Sequence, residues 1–306
     1  SGAIMAADLG QNEAATRWAD REREFRGDLV SSVAAATRLH GIDFVPGAAD
    51  RGDFDATSTT VGLAPGDGAG DLPPALLRNT FEQHWTRFVE RRDRGILWND
   101  YTPYEVRNVG AYIRLGWRDR AYELMRFYMD DRRPAAWNGW AEVVGRLPRE
   151  IRFIGDMPHA WISSDYIRSM LDMFYYERDS DRALVLAAWV PSDWLLGEGV
   201  AVKGVRTPYG RLAYALRPRG SKLVLTLSGE ARPAGGFVIP WPLPGEPGTA
   251  QIDGRPASFE GNELKVPAGA KTIILQRPVN AAPAAPRSGE RRGLHHRTDK
   301  LPRAPH

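Results

Sequence analysis

The sequence predicts an α+β multidomain protein in which helical hairpins precede an antiparallel β-sandwich. Apolar residues recur every three or four positions up to about residue 177, which is the spacing of amphipathic helices. Near residue 180 this period ends, and short strand-like runs follow, separated by glycine and proline turns. We therefore predict a helical domain at residues 1–180 and a β-sandwich at 181–276. Residues 277–306 are rich in Pro, Ala, Arg and His and predict a disordered basic tail.

The first helix is expected over residues 11–40, because its apolar residues share one stripe and Gly41 follows as a natural stop. Residues 42–74 contain clusters of glycine and proline and predict irregular structure. The inward stripe of the first helix is predicted to consist of Trp18, Phe25, Leu29, Val33 and Ala36, interrupted by Glu22. Further helices are expected over residues 74–92, 102–115, 119–128 and 161–177.

In the second part of the chain, Asp253-Gly254 is a hairpin signal, because both residue types tolerate the positive φ angles of a tight turn. The number and spacing of the apolar runs are typical of a β-sandwich. The strand-like runs cover residues 183–186, 200–202, 212–216, 223–227 and 272–275.

The composition excludes several classes of protein. With 0 Cys among 306 residues, the chain has no disulfide and no cysteine-based metal site or nucleophile. No apolar run approaches the ~18 residues of a membrane span. Arginines alternate with acids, as in residues 20–24, which indicates a solvated helix face and no nucleic-acid surface. We expect no metal, no cofactor, no nucleic acid and no membrane partner, and the oligomeric state stays open.

The beginning of the chain is expected to be an interior start. It opens with Ser1, and its first residues lack the basic, apolar and small-residue order of a signal peptide. We therefore expect a truncated N-terminus. Periplasmic, secreted and cytoplasmic locations all stay open.

Tryptophan on short loops is the main indication of a ligand, since the chain has 10 Trp. The apolar face of a sugar ring stacks on an aromatic plane, while its hydroxyls need polar partners. A single tryptophan is more often part of a core, so the interpretation depends on the grouping of several on three loops. His159 has no second histidine at metal-ligand spacing and is interpreted as a neutral hydrogen-bonding group. The candidate substrate-binding residues are Trp98, Asn99, Tyr101, Trp137, Asn138, Trp140, His159 and Trp161.

An ordered set of motifs runs from Tyr101 to Gly210. The motifs are Tyr101-Thr102-Pro103-Tyr104, Leu115-Gly116, Asp119-Arg120-Ala121, Glu123-Leu124-Met125, Trp137 to Glu142, Gly155 to Trp161, Val190 to Leu195 and Thr207 to Gly210. Together they resemble the six-hairpin (α/α)6-barrel glycosidases, and within these the α-L-rhamnosidase type. The resemblance implies that the helical domain is the C-terminal half of such a barrel, followed by the family's β-sandwich.

Glycoside hydrolysis uses two carboxyl groups, which stand ~6.5–9.5 Å apart in an inverting enzyme. The resemblance implies that Glu142 is the general base at the barrel mouth; the alternative is an acid on the surface or in a first helical turn. Asp53, Asp55 and Glu105 are candidates for the second carboxyl. The alternatives are an Asx-turn and helix cap for Asp53 and Asp55, and a capping box with Thr102 for Glu105, which we favour.

These observations predict a glycoside hydrolase, or the C-terminal fragment of one, that cleaves a glycosidic bond in an oligo- or polysaccharide. Inversion is expected and retention stays open. The family's general acid lies on an earlier segment without a counterpart here, so a truncated chain that is inactive alone is one expectation. The alternative is a non-catalytic carbohydrate-binding or scaffold module. A second carboxylate close to Glu142 would favour the enzyme.

Overall fold

The computed structural model describes residues 2–93, 95–132, 135–146 and 155–278, and in these all helices but one short one precede the main β-sheets. The predicted order of a helical part and a β-sheet part is confirmed. From residue 279 onward the predicted tail lies outside the described residues. The helices are α1 (Gly2–Asp8), α2 (Asn12–His40), α3 (Ala56–Leu63), α4 (Pro74–Arg92), α5 (Asn108–Arg114), α6 (Arg118–Asp130), α7 (Ala160–Phe174) and α8 (Ser192–Leu196), with short 3₁₀ helices at Gly68–Gly70 and Pro103–Arg107.

The bounds of α2 agree with the prediction. The helix ends because Gly41 adopts a left-handed φ of 62°, and its amide donates to the carbonyl oxygen of Thr37. The predicted inward stripe is wrong at Trp18, Phe25 and Leu29, which are 55%, 70% and 46% exposed. Val33 and Ala36, nearer the C-terminal end of the helix, are buried as predicted.

Helix α3 lies within the stretch that was predicted to be irregular, so that prediction is wrong. Asp55 caps the helix by accepting the amide hydrogen of Ser58 at 2.9 Å. Ala56, Thr60 and Leu63 form its buried face. Because a buried threonine contributes to that face, the apolar pattern alone does not reveal the helix.

The helical core places the 3₁₀ helix Pro103–Arg107 against α7. This 3₁₀ helix begins at Thr102, whose hydroxyl accepts the amide hydrogen of Tyr104, and Pro103 occupies its first turn. It leads directly into α5, which is buried along most of its length. The predicted helix over residues 102–115 is thus a 3₁₀ turn followed by an α-helix. The 3₁₀ turn and α7 are therefore neighbours in space.

Two larger sheets follow α7, and the short helix α8 lies between two of their strands. One sheet has the order β10-β9-β12-β7-β6-β5 and the other has the order β11-β8-β4-β3. Residues of both sheets belong to one hydrophobic cluster, which also contains residues of the helices. The strands are β1 (Asp100–Tyr101), β2 (Val144–Gly145), β3 (Tyr175–Arg178), β4 (Ala183–Leu186), β5 (Val200–Thr207), β6 (Gly210–Arg219), β7 (Lys222–Leu227), β8 (Phe237–Pro240), β9 (Thr249–Ile252), β10 (Arg255–Ala257), β11 (Glu263–Val266) and β12 (Thr272–Gln276).

One pair of strands differs in direction from the predicted antiparallel arrangement. Strand β4 pairs with β8 in parallel, whereas a purely antiparallel sandwich was expected. The long connection between these strands runs through β5, β6 and β7 of the other sheet, and such a crossover lets the chain re-enter in the same direction. The predicted hairpin at Asp253-Gly254 is confirmed, because both residues have positive φ and join β9 to β10.

Candidate functional site

Two loops singled out by their tryptophans lie side by side. The amide of His159 donates to the carbonyl oxygen of Trp140 at 2.7 Å, and the amide of Glu142 donates to that of Asp156 at 3.1 Å. The hydroxyl of Thr102 donates to the carbonyl oxygen of Glu142 at 2.8 Å. These bonds join residues 140–142, residues 156–159 and the start of the 3₁₀ helix into one cluster.

Glu142 lies directly against Gly155. A Cβ added to Gly155 would stand 2.1 Å from Oε2 of Glu142, and Gly155 has a positive φ of 65°. Both the close approach and the backbone conformation require glycine at this position. The glycine therefore makes the space in which the partly buried side chain of Glu142 lies.

An aromatic group stands next to these loops. Oη of Tyr104 and Nε2 of His159 are 2.5 Å apart, and the two rings meet edge to face. The ring centroid of Trp161 lies 6.3 Å from that of Tyr104 and 6.2 Å from that of His159. Trp161 is 69% exposed. Trp161 thus has an exposed ring, and its neighbours Tyr104 and His159 carry polar atoms.

The charges around Tyr104 have both signs. Burial raises the pKa of Tyr104, the guanidinium of Arg107 acts in the opposite direction, and the carboxylates of Glu142, Asp165 and Asp156 add to the increase. The net effect is a raised pKa, so the phenol stays protonated at neutral pH. The same interactions show that carboxylates from two loops and from α7 all act on one phenol group.

A row of alternating charges fixes α7 against the 3₁₀ helix and α5. Nε of Arg107 donates to Oδ2 of Asp165 at 2.8 Å, and Nη1 of Arg168 donates to Oδ2 of Asp172 at 2.9 Å. Arg114 also pairs with Asp172, and both side chains are 9% exposed. Because the row begins at Arg107, it also holds the guanidinium that lies 5.0 Å from the ring centroid of Tyr104.

Glu105 points away from this cluster into a buried polar network. Arg91 donates two hydrogen bonds to its carboxylate, at 2.8 and 2.6 Å, and the hydroxyl of Tyr128 donates a third at 3.1 Å. Burial alone raises the pKa of Glu105, but the hydrogen bonds from His84 and Arg91 outweigh it and hold the pKa at about 2. The favoured capping box is therefore replaced by an interior ion pair, although Thr102 and Pro103 do begin the helix. A carboxyl group with this pKa cannot be a general acid near neutral pH.

Asp53 and Asp55 hold local structure. Oδ1 of Asp53 accepts the amide hydrogen of Ala48 at 2.9 Å, and Asp55 accepts both the amide and the hydroxyl hydrogens of Ser58. These hydrogen bonds correspond to the Asx-turn and helix-cap alternatives given for Asp53 and Asp55.

Two of the candidate aromatic residues lie in the core, and a third packs against it. Tyr101 and Trp140 are each 6% exposed. The indole of Trp140 donates to the carbonyl oxygen of Tyr128 at 2.8 Å, and its ring packs on Tyr166 at 4.7 Å. The partly buried ring of Trp98 packs against Tyr101 at 5.7 Å. Both rings are buried, so the structure gives no support to the substrate contact predicted for Tyr101 and Trp140.

The remaining candidates lie on exposed loop positions. The side chain of Trp137 is 53% exposed. Oδ1 of Asn138 accepts a hydrogen bond from Arg132 at 2.9 Å. The carbonyl oxygen of Asn99 accepts the amide hydrogen of Arg146 at 2.8 Å. Among the predicted binding residues with exposed or partly exposed side chains, His159 lies on the loop paired with that of Glu142, and Trp161 contacts its ring.

Sequence reasoning did not assign a role to Tyr104, Arg107, Asp156 or Asp165. Tyr104 and Asp156 stand inside motifs that were noted for other residues. The spacing of Asp156 and His159, three residues apart on a loop, is a sequence signal that the two side chains lie close together. No sequence signal links Tyr104 to His159, since they are 55 residues apart.

Among the described residues, no group of three or more His, Asp or Glu is arranged to hold a metal ion. Within the same part of the chain, no helix has both the length and the apolar character needed to cross a bilayer.

Comparison with known proteins gives a distant structural similarity. No family model matches the chain, and no curated protein matches it. Among solved structures, the chain is similar to the α-L-rhamnosidase from Dictyoglumus thermophilum, with 12% sequence identity and a TM-score of 0.47. The match covers 90% of this chain and 30% of that chain, so this chain spans less than a third of the rhamnosidase. A similarity at this level gives neither the activity nor the substrate of this chain.

Proposed function

We propose that the cluster around Tyr104, Glu142, His159 and Trp161 binds a carbohydrate and hydrolyses a glycosidic bond with inversion. The observation that supports this best is the position of the Glu142 carboxylate in the cluster that holds the exposed ring of Trp161. Trp161 would stack on the apolar face of a sugar ring. His159 and Tyr104 would supply polar contacts to its hydroxyls.

In this proposal Glu142 is the general base. It takes a proton from a water molecule, whose oxygen forms a bond to the anomeric carbon while the bond from that carbon to the leaving oxygen breaks. A second carboxyl group donates its proton to the leaving oxygen. We assign none of the described residues to that step, because the carboxylate of Asp156, on the loop paired with that of Glu142, lies 3.7 Å from Nδ1 of His159 and acts there as an anion.

The three predicted second carboxyls do not suit that step. Glu105 is ionised and bonded to Arg91, and Asp53 and Asp55 accept hydrogen bonds from main-chain amides. These placements also support the second candidate function, a non-catalytic carbohydrate-binding module. Such a module needs Trp161 and the polar groups but no proton donor.

We propose further that the helical part is the C-terminal half of an (α/α)6 barrel and that the chain divides near residue 180. The exposed apolar stripe of α2 supports this, because a barrel helix buries such a stripe against its neighbours. A protein with the additional helices should bury Trp18 and Phe25. Fluorescence quenching by acrylamide of single-tryptophan variants that keep Trp18 would measure this.

The test of the activity compares the wild type with two variants on a panel of oligosaccharides, by release of reducing ends. Glu142→Gln should lower turnover by about 10²–10⁴-fold while binding is retained, because only the base is lost. Glu24→Gln is the matched control, since Glu24 is an exposed carboxylate on α2 that pairs with Arg21. It should leave turnover unchanged.

Three results are decisive. Full turnover in Glu142→Gln would reject its role as base. Binding without turnover in the wild type, lost in Trp161→Ala, would favour the binding module. Neither binding nor turnover over the whole panel would reject a carbohydrate function for this chain.

A further inference from the structure

Tyr104 is placed at the candidate site by contacts on several sides. Its amide donates to the hydroxyl of Thr102, the residue whose hydroxyl in turn donates to the carbonyl oxygen of Glu142. Its ring contacts Arg107 on one side and the edges of His159 and Trp161 on others. The side chain is only partly buried, so a ligand stacked on Trp161 would lie next to the phenol.

The hydrogen bond between Tyr104 and His159 can run in either direction, depending on which ring nitrogen of His159 carries the proton. Oδ2 of Asp156 lies 3.7 Å from Nδ1 of His159. A carboxylate on that side stabilises a proton on Nδ1, and the lone pair of a neutral imidazole then lies on Nε2. Nε2 is the atom 2.5 Å from Oη of Tyr104, so the phenol donates to it.

The other charged groups that the described part of the chain places near Tyr104 do not reverse this arrangement. Arg107 faces the ring of Tyr104, but its guanidinium is held by Asp165 at 2.8 and 2.7 Å. Glu142, Asp156 and Asp165 together place more negative than positive charge around the phenol. A phenol in these surroundings keeps its proton, and that proton is directed to His159.

We propose that Tyr104 is a specificity residue of the site, and that Asp156 and His159 make its oxygen a pure acceptor towards the ligand. The single phenol proton is used in the bond to His159, so the free lone pair of Oη can only accept. The ligand must then present an O–H or N–H donor at this point. A sugar with a free hydroxyl fits, its deoxy or O-methyl analogue does not, and an acidic sugar is repelled by the three carboxylates. The ligand part of this inference rests on the proposed carbohydrate function.

The direction of the bond can be measured without a ligand. In ¹⁵N-labelled protein, long-range ¹H–¹⁵N correlation spectra distinguish the two neutral forms of a histidine ring. The chain has 6 His, so the signals of His159 are assigned by their loss in His159→Gln. The wild type should show a protonated Nδ1 and an unprotonated, hydrogen-bonded Nε2.

Two variants and one control test the cause. Asp156→Asn should shift His159 towards the form protonated on Nε2, and Tyr104→Phe should move the Nε2 resonance to that of a free lone pair. Asp165→Asn is the matched control, because Asp165 contacts Arg107 and Arg168 and should leave the ring form of His159 unchanged. A wild-type His159 protonated on Nε2, or no response to Asp156→Asn, would overturn the inference.

The ligand part uses methyl glycosides of neutral hexoses and their monodeoxy derivatives, with affinity measured by calorimetry. Tyr104→Phe should weaken binding of the parent glycoside about ten-fold and leave the affinity of one monodeoxy derivative unchanged. An equal loss for every derivative would refute the specificity role. If no glycoside binds the wild type, the proposed function fails and the ligand part fails with it, whereas the ring form of His159 still decides the direction of the bond.

Discussion

The buried carboxylate of Glu105 should make the stability of the protein depend on pH in the acid range. Its side chain is 15% exposed, and its charge is held by Arg91, His84 and Tyr128. The pKa of Glu105 falls from its ordinary 4.5 to about 2 in the fold, which at 1.36 kcal/mol per pKa unit corresponds to about 3 kcal/mol. Because the folded-state pKa is lowered, this contribution is complete above about pH 4.5 and is lost as the pH falls towards about 2.

Replacement by glutamine removes the charge and keeps the shape. At pH 7, Glu105→Gln should destabilise the protein by about 3 kcal/mol or more, because Arg91 is then left buried without a counter-charge. The measurement is urea unfolding followed by tryptophan fluorescence, on the wild type and the variant, from pH 7 down to pH 3. The difference in the free energy of unfolding should shrink steadily below about pH 4.5.

An exposed carboxylate on α2 provides the control. Glu24→Gln breaks an exposed pair with Arg21 and should cost no more than about 1 kcal/mol at any pH. A difference between the wild type and Glu105→Gln that is small at pH 7, or that does not change below about pH 4.5, would show that Glu105 is not held as a carboxylate in the fold.

Two further substitutions test the site and its support. Gly155→Ala should cost about 1–2 kcal/mol from the left-handed backbone alone, and the added Cβ should displace Glu142. The midpoint temperature of thermal unfolding and the turnover should therefore both fall. Unchanged turnover would show that the position of Glu142 is not critical. Asp172→Asn removes the partner of the buried Arg114 and should destabilise by about 3–5 kcal/mol in urea unfolding, and a loss below 1 kcal/mol would contradict a buried, charged pair.

Much of the secondary structure could be predicted, because it depends on local patterns. The bounds of α2 follow from helical spacing and from Gly41, and the turn at Asp253-Gly254 follows from two residues that tolerate positive φ. Helix α3 was missed because its buried face includes a threonine. The burial of the α2 stripe was predicted wrongly because spacing marks which face is apolar, and the surrounding fold decides whether that face is covered.

The candidate site was predictable in part. The sequence alone marked the segments around Glu142 and His159, since a carboxylate and a histidine among loop tryptophans suit a sugar. It also gave the local roles open to Asp53 and Asp55, because turns and caps involve near neighbours.

Only the tertiary structure decided which of these groups act together. Glu105 had a plausible local partner in Thr102, yet its carboxylate meets Arg91, which lies 14 residues away on α4. Tyr104 meets His159 across 55 residues, and Asp165 of α7 holds Arg107 beside it. Hydrogen bonds and ion pairs act over a few ångströms, so their partners are set by how helices and loops pack, which residue spacing along the chain does not encode.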